Sequence, residues 1–459
     1  MAKEILSVIL AAGESKAMKS DIPRAVFPVL GKPMASYAVA AATEAGAKRN
    51  VMVVGFGADR VRETFGESVL YADQPEAVGT SDAVAHARGY FEQTDAYVLV
   101  LPGDAPLIDA QTLRNAIAYH EEFQNEVTII TAIVDNPAGY GRIIRNSAGD
   151  VVSIVEEEYA NQGELEINEI NSSMYIFNAD ALCYALDHYD SLSDRYDKNN
   201  LIHSIEVLIK SGRKVGAYDA DDPDSILGIN DRIQLFEVES IMRNRINLEH
   251  MRNGVTIMAP AVTYIEPGVV IGQDTVVQPN VHLRGNTVIG KNVIIGANSI
   301  ITNCKIADGV DILSSVMVDS EVCEGAHVGP FAYLRPNSKI GKNVKIGDFV
   351  EIKNATLDEG TKVSHLTYVG DSDVGKRVNF GCGCVTVNYD GKKKYRTIIG
   401  DDAFIGCNTN LVSPVTVHDN AYIAAGSTIT DEVPESALAI ARSRQVNKME
   451  WKDRRKQDK

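Results

Sequence analysis

The stretch IGQDTVVQPNVHLRGNTVIGKNVIIGANSI, residues 271–300, decides the fold of half this chain. A branched aliphatic residue returns at every sixth position: Ile271, Val277, Leu283, Ile289, Ile295. The series begins at Ile265 and reaches Ile301. It resumes after a one-residue slip with Ile306, Ile312 and Val318, and again as Val322, Val328, Leu334, Ile340, Ile346 and Ile352. A last run places Ile399, Ile405, Leu411, Val417, Ile423 and Ile429. Neither an α-helix nor an ordinary strand has a period of six. A parallel β-helix of hexapeptide turns has it, each unit being a short strand plus a corner. Gly, Asn and Asp follow the aliphatic residue in IGQDTV (Ile271–Val276), IGKNVI (Ile289–Ile294) and IGKNVK (Ile340–Lys345), as corners with unusual backbone angles require. An antiparallel sandwich would show alternation at irregular spacing instead.

Outward from this stretch, the chain divides into unlike parts. Residues 1–232 read as an α/β domain. ILSVILAAG, NVMVVGFG, AYVLVLPGD and EVTIITAIV are apolar runs of buried parallel-strand type, with helical segments such as Met34–Glu44 and Gln111–Glu122 between them. That alternation predicts a doubly wound sheet with ligands at the carboxyl ends of its strands. Residues 233–253 have helical periodicity and read as a linker helix; residues 254–459 hold the β-helix, interrupted at Asn388–Arg396. The charged tail from Asn447 lacks periodicity.

Composition narrows the class. The 459 residues are 45% hydrophobic and 23% charged, which fits a packed multidomain protein. A net charge of −17 argues against a general binder of nucleic acid or anionic membranes. No run reaches transmembrane length, and MAKEILSVILAAG reads as a first strand rather than a signal peptide. The six cysteines are scattered, which fits free thiols in a reducing cytoplasm.

Chemistry-bearing segments follow the predicted strands. LAAGESKAMKSDIPR (Leu10–Arg24) is a small-residue turn that lets backbone amides approach a phosphate. Asp104 in PGDAPL and Asn230 in GIND offer the hard oxygen ligands that Mg²⁺ uses together with substrate phosphates. Either residue also suits a cap or turn. In the second half, Arg335 and Lys353 lie where coils can bring two cations together, as a sugar phosphate requires.

These segments resemble the bacterial bifunctional N-acetylglucosamine-1-phosphate uridyltransferase and glucosamine-1-phosphate N-acetyltransferase family, from about Ser7 to Asn447. The matching runs include LAAG, GKPM, Gly79-Thr80, PGDAPL, GYGRI, SIVE, EIN, GIND, HLTYVGD and VNYDG. The resemblance implies a nucleotidyltransferase-like domain followed by a left-handed parallel β-helix. It implies uridyl transfer from UTP in the first domain, with Leu10, Ala11, Ala12, Gly13, Arg24, Gln74, Gly79 and Thr80 around the nucleotide. Gly141, Glu156, Asn171 and Asn230 would surround the sugar nucleotide, and Asp104 and Asn230 would hold Mg²⁺. It implies acetyl transfer from acetyl-CoA to glucosamine 1-phosphate in the second, with His365 as base. Arg335, Lys353, Tyr368 and Asn379 would hold the acceptor sugar phosphate. Cys382, Asn388, Tyr389, Cys407, Ala425 and Arg442 would hold acetyl-CoA. A cytoplasmic homotrimer, with acetyl-transfer sites assembled from neighbouring chains, is expected by the same likeness.

The chain also departs from the pattern. The family turn reads L-A-A-G-x-G-T-R-M, and this chain has Ser15, Lys16 and Ala17 in place of Gly, Thr and Arg. Arg24 stands for the family lysine, GTSDA for G-T-G-H-A, EINSS for E-I-N-T-G, and a Gln-Gly-Glu-Tyr-Tyr segment is absent near Asp194–Ile205. One cation aimed at a triphosphate contributes about 2 kcal/mol or more. A second reading therefore keeps acetyl transfer alone and makes the first domain a binding or structural module. A third, a zinc hexapeptide enzyme, needs three converging histidines; His282, His327, His365 and His418 form no such motif.

Overall fold

A computed structural model describes residues 3–188 and 199–452. Residues 194–198 of the segment where the Tyr-rich motif is absent, and residues 453–459 of the charged tail, lie outside the described residues. The chain forms two compact units, Met1–Met242 and Arg243–Lys459, which divide inside the helix Arg232–Arg252.

The first unit is built on a mixed sheet. Its strands lie in the order Val215–Asp219, Val127–Ile133, Glu169–Asn178, Ala96–Pro102, Glu4–Ala11, Arg49–Val54, Leu70–Asp73. All pair in parallel except Glu169–Asn178, which runs antiparallel to both neighbours. The exception has a local cause. After Val127–Ile133 the chain enters an antiparallel pair, Arg142–Arg145 with Val151–Val155, rather than a crossover helix, so the next long strand returns against its neighbours. Side chains alternate between two cores. Leu6, Val8, Val98 and Val100 join one, and Ile9, Ala11, Leu99 and Leu101 join the other. Helices Met34–Glu44 and Ala110–Glu122 cover the second core, and Ala179–Asp187 with Leu201–Lys210 cover the first. Both faces are therefore sealed, and polar chemistry is left to the strand ends.

The second unit is a left-handed parallel β-helix with three flat sheets. Each strand pairs in parallel with the strand one coil later, as Val276 with Ile294 and Ile289 with Ile306. The repeated aliphatics form one continuous buried column from Val255 to Val433. Fully burying one such side chain contributes about 1.5–3 kcal/mol, which a lone coil cannot achieve because its top and bottom stay open. Asn292 and Asn343 take the corner position at φ 55° and 56°. This is left-handed backbone, which asparagine tolerates better than other side-chain-bearing residues.

One hexad position is corrected. The inward residue after Ile312 is Met317, wholly buried and paired with Ile301, while Val318 sits at the flank. The slip before Ile306 stands, since Ile306 is buried, and a further short step from Ile312 to Met317 follows it. The region between Ile352 and Ile399 also keeps its column, through Leu357, Val363, Val369, Val374, Phe380 and the buried Thr386. Thr386 accepts the Gly370 amide at 2.7 Å, which satisfies an inward hydroxyl. Among the described residues no helix is long and apolar enough to cross a membrane.

Candidate functional site

In the first unit the strand ends enclose a cavity of about 430 Å³. Its lining includes Leu10, Ala11, Ala12, Gly13, Arg24, Gln74, Gly79, Thr80, Asp104, Asn171 and Asn230, eleven of the expected residues. Gly103 lets the Asp104 loop lie on the first strand: a Cβ there would stand 2.8 Å from the Leu10 carbonyl. Gly141 and Glu156 lie beyond this lining but next to it. A Cβ on Gly141 would meet Glu156 Oε2 at 3.3 Å and Asn171 Cβ at 3.6 Å. Glu156 also lines a neighbouring hollow with Gly139 and Asn200.

Among the described residues, Arg24 is the cation that lines this cavity. Its Nη1 lies 2.7 Å from Asp104 Oδ2 and donates to Asn230 Oδ1 at 2.8 Å. The two oxygen donors expected for a metal thus converge on one positive group. Burial pushes the Asp104 carboxyl up, and the Arg24 charge opposes that shift. Lys16 points away: its ammonium is 87% exposed and pairs with Glu14 at 2.6 Å. Ala17 is exposed, so this turn brings no cation to the cavity. Ser15 is buried with an unpartnered hydroxyl among the described residues.

The departures at GTSDA have visible consequences. The buried Gln74 donates to Asp82 Oδ2 at 2.8 Å and to the Gly79 carbonyl at 3.0 Å. Asn199 covers Gly79 so closely that a Cβ there would fall 2.4 Å from its carbonyl oxygen. Asn200 caps the helix Leu201–Lys210 and donates to Glu156 Oε1 at 3.2 Å. Burial raises the Glu156 carboxyl, with the Asn200 bond opposing.

In the second unit the register brings together residues far apart in sequence. Asp348 pairs with His365 on the next coil. Lys362 pairs with Asn379 and Val363 with Phe380, so the same register carries His365 onto Cys382. Phe380, Ile405 and Ile423 continue it, carrying Cys382 onto Cys407 and Cys407 onto Ala425. The imidazole and three of the residues expected at acetyl-CoA therefore form one column, at the coil spacing of about 4.8 Å. Arg442 reaches the top of it, its Cδ 3.6 Å from a Cβ built on Gly426. Asn379 lies on the same sheet, one coil beyond His365.

Three residues after His365, Tyr368 opens a second cluster. Lys353 Nζ lies 3.3 Å from Asp371 Oδ2, and both side chains are mostly buried. Asn354 donates to Asp371 Oδ1 at 2.5 Å, and Asn388 donates to Asp371 Oδ2 and to the Tyr368 hydroxyl. Asn388 thus belongs with this cluster rather than with the cysteine column, and Tyr389 is exposed beside it, bonded to the Gly391 carbonyl. Burial would raise Asp371, but hydrogen bonds from Asn354, Asn388 and Lys353 hold it below the usual range. Lys394 stands beside Lys353, which holds its ammonium below the ordinary lysine value, and Arg335 adds to that effect. Arg335 itself pairs with Glu351 at 2.7 Å. Arg335, Lys353 and Lys394 thus bring three cations to this cluster, two of them paired with carboxylates.

Sequence reasoning had missed Asp348, Asp371 and Lys394. Asp371 ends the quoted HLTYVGD run and so carried a signal, whereas Asp348 is joined to His365 only by the coil register. Lys394 lies in the interruption Asn388–Arg396, where no period gives its place. The four histidines of this half do not converge. His282 stacks on Tyr264, His327 faces Asp311, His365 faces Asp348 and His418 faces Glu432.

Comparison with known proteins adds the following. A family model described as nucleotidyl transferase matches residues 6–223. One described as bacterial transferase hexapeptide (six repeats) matches residues 268–303 and 396–431, and a GMPPB C-terminal domain matches 321–410. The chain is 50% identical over 455 residues to the bifunctional protein GlmU of Caldanaerobacter subterraneus subsp. tengcongensis, covering 99% of this chain and 98% of the relative. It is 51% identical over 447 residues to that of Acetivibrio thermocellus, covering 97% of each. It is 48% identical over 446 residues to that of Clostridium tetani, covering 97% of this chain and 98% of the relative.

Proposed function

The chain belongs to the family of bifunctional GlmU proteins, and we propose that its two units catalyse successive transfers in the supply of UDP-N-acetylglucosamine for the cell envelope. The second unit moves the acetyl group of acetyl-CoA to the amine of glucosamine 1-phosphate. The first unit moves the uridyl group of UTP to the resulting N-acetylglucosamine 1-phosphate and releases pyrophosphate. Whole-length likeness to bifunctional relatives favours two activities over the acetyltransferase-only reading.

In acetyl transfer the free amine attacks the thioester carbonyl. A C–N bond forms, the C–S bond breaks, the amine proton passes to His365, and His365 returns it to the leaving thiolate to give the thiol of coenzyme A. Arg335, Lys353 and Lys394 hold the phosphate of the acceptor, and Tyr368 and Asn379 flank its sugar. Cys382, Cys407, Ala425 and Arg442 hold the acyl donor. No acyl-enzyme is required, so the thiols are contacts and not nucleophiles. The observation that supports this most is the column His365–Cys382–Cys407–Ala425 rising beside a three-cation cluster.

In uridyl transfer a phosphate oxygen of the sugar attacks the α-phosphorus of UTP, and the bond to pyrophosphate breaks. Such transfers depend on positioning and charge. The turn Leu10–Gly13 presents backbone to the phosphates; Gln74, Gly79 and Thr80 line the nucleotide, and Gly141, Glu156 and Asn171 the sugar. Arg24 supplies the cation that Ala17 lacks. Asp104 and Asn230 fit Mg²⁺, because two hard oxygens converge on one positive centre. Bound there, it neutralises triphosphate charge.

A cytoplasmic homotrimer completes the reading. Both half-reactions assayed separately on full-length protein, with and without Mg²⁺, test it. Acetyl transfer indifferent to Mg²⁺ and uridyl transfer dependent on it are expected. Absence of either turnover overturns that half, and a fully active monomer by light scattering overturns the trimer.

A further inference from the structure

We propose that Asp348 is the positioning residue for His365, fixing which imidazole nitrogen is free to take the amine proton; this deepens the acetyl-transfer reading and rests on it. Four observations carry it. His365 Nδ1 lies 2.6 Å from Asp348 Oδ1. The two residues pair in register at the ends of strands Lys345–Asp348 and Lys362–His365, which are four residues long where most coils have two or three. The ladder is thus prolonged to the corner at this one pair of coils, and the Leu366 amide donates to the Asp348 carbonyl at 3.0 Å just beyond. The Thr367 hydroxyl donates to the His365 carbonyl at 2.7 Å, which ties the corner from the other side.

Gly347 makes this close approach possible. A Cβ there would fall 2.0 Å from the Ser364 carbonyl oxygen and 2.7 Å from its carbon, so any side chain would push the coils apart beside the pair.

The chemistry follows from the acceptor. The hydrogen bond from His365, with help from the Asp348 backbone, holds that carboxyl below the usual aspartate range, so Asp348 is ionised at neutral pH. An ionised carboxylate only accepts. Nδ1 must therefore donate to it, and in neutral imidazole the lone pair is left on Nε2, which faces away from Asp348. Stability does not account for the contact: His365 is 59% and Asp348 39% exposed, and exposed pairs contribute little.

The test uses full-length Asp348→Ala, Asp348→Asn and Gly347→Ala. Asparagine keeps the shape but can donate to Nδ1 and so hold the wrong tautomer. A merely structural contact would survive it. Both Asp348 variants should lose acetyl-transfer kcat by roughly ten- to hundred-fold or more, the KM for glucosamine 1-phosphate changing less than about two-fold. Gly347→Ala should fall in kcat likewise. Imidazole nitrogen NMR should report the Nδ1–H form of His365 in the wild type and its loss in both Asp348 variants. An unchanged kcat in Asp348→Asn, or the same tautomer in all three proteins, overturns the proposal. A wild type without acetyl transfer would instead overturn the functional reading, and the nitrogen spectrum would still decide the tautomer.

Discussion

Replacing Arg24 with alanine should separate the two activities. The guanidinium is 21% exposed and lies 2.7 Å from Asp104, itself 27% exposed, with Asn230 on the same nitrogen at 2.8 Å. Three losses follow from that geometry. The cavity forfeits its cation toward the phosphates. Asp104, already pushed up by burial, loses the one charge opposing the shift and becomes harder to ionise. Asn230 loses its donor. Removing one well-aimed donor from a transfer site costs about 2.7–4 kcal/mol. Partial exposure screens the charge, so the lower end applies, which is roughly a hundred-fold in turnover. Arg24→Lys keeps the charge without the fork and should lose less, within about ten-fold. The assay is pyrophosphate release from UTP and N-acetylglucosamine 1-phosphate, with acetyl transfer measured on the same sample. Acetyl transfer should stay within about two-fold, because its residues belong to the other compact unit. Uridyl transfer by Arg24→Ala within about three-fold of the wild type would refute the assignment of Arg24 and leave the deficit at Ala17 unexplained.

Three further outcomes are expected. His365→Ala should lower acetyl-transfer kcat at least about a hundred-fold with the oligomer intact by light scattering, since general base catalysis contributes 10²–10⁴-fold. Lys394→Ala should raise the KM for glucosamine 1-phosphate about five- to ten-fold, read from initial rates, because it removes one of three cations and no reacting group. His120 should make the first unit acid-sensitive. Burial lowers its pKa from 6.5 to about 4, with Thr128 at 2.8 Å on Nδ1. Above pH 6.5 both folded and unfolded forms are neutral and the stability is fully present. As pH falls toward 4 the unfolded chain takes up a proton that the folded chain refuses, and about 3 kcal/mol is lost. Urea melts of wild type and His120→Phe across that range should diverge, and parallel curves would exclude His120 as the source.

The sequence was most legible where a repeated physical demand recurs. An inward aliphatic is needed on every face of every coil, so the hexad period exposed the β-helix directly. It erred at Val318 because two five-residue steps in succession leave no integer period to follow, and Met317 fills the space with a flexible side chain. It fell silent between Ile352 and Ile399 because short steps, from Ile352 to Leu357 and from Val369 to Val374, break the period, and Thr386 then turns inward as a polar residue whose hydroxyl is satisfied by backbone. The antiparallel strand Glu169–Asn178 gave no warning for a related reason. Its first half, EINSS, is polar and breaks the apolar run, and only the hairpin before it reverses the direction.

Site residues were legible when a motif contained them and hidden when only three-dimensional register joined them. Asp348 and His365 share no local pattern, yet one coil of the ladder stacks them. Arg24 shows the converse. Read as a motif position, it is a lysine exchanged for arginine and Ala17 is a loss. The exchange gains weight once Arg24 is seen on Asp104 and Asn230, because a planar, delocalised cation can touch two acceptors and still offer nitrogens to a phosphate. Restoring the motif therefore gives a direct comparison. The side chain of Ala17 is exposed, so Ala17→Arg has room to extend toward the turn. If Arg24 already carries the charge, adding the second cation should raise uridyl transfer by no more than about ten-fold, short of the contribution of a donor acting alone. A rise of a thousand-fold or more, from a barely active wild type, would mean that Arg24 does not fill the role and that the cavity closes on its own ion pair.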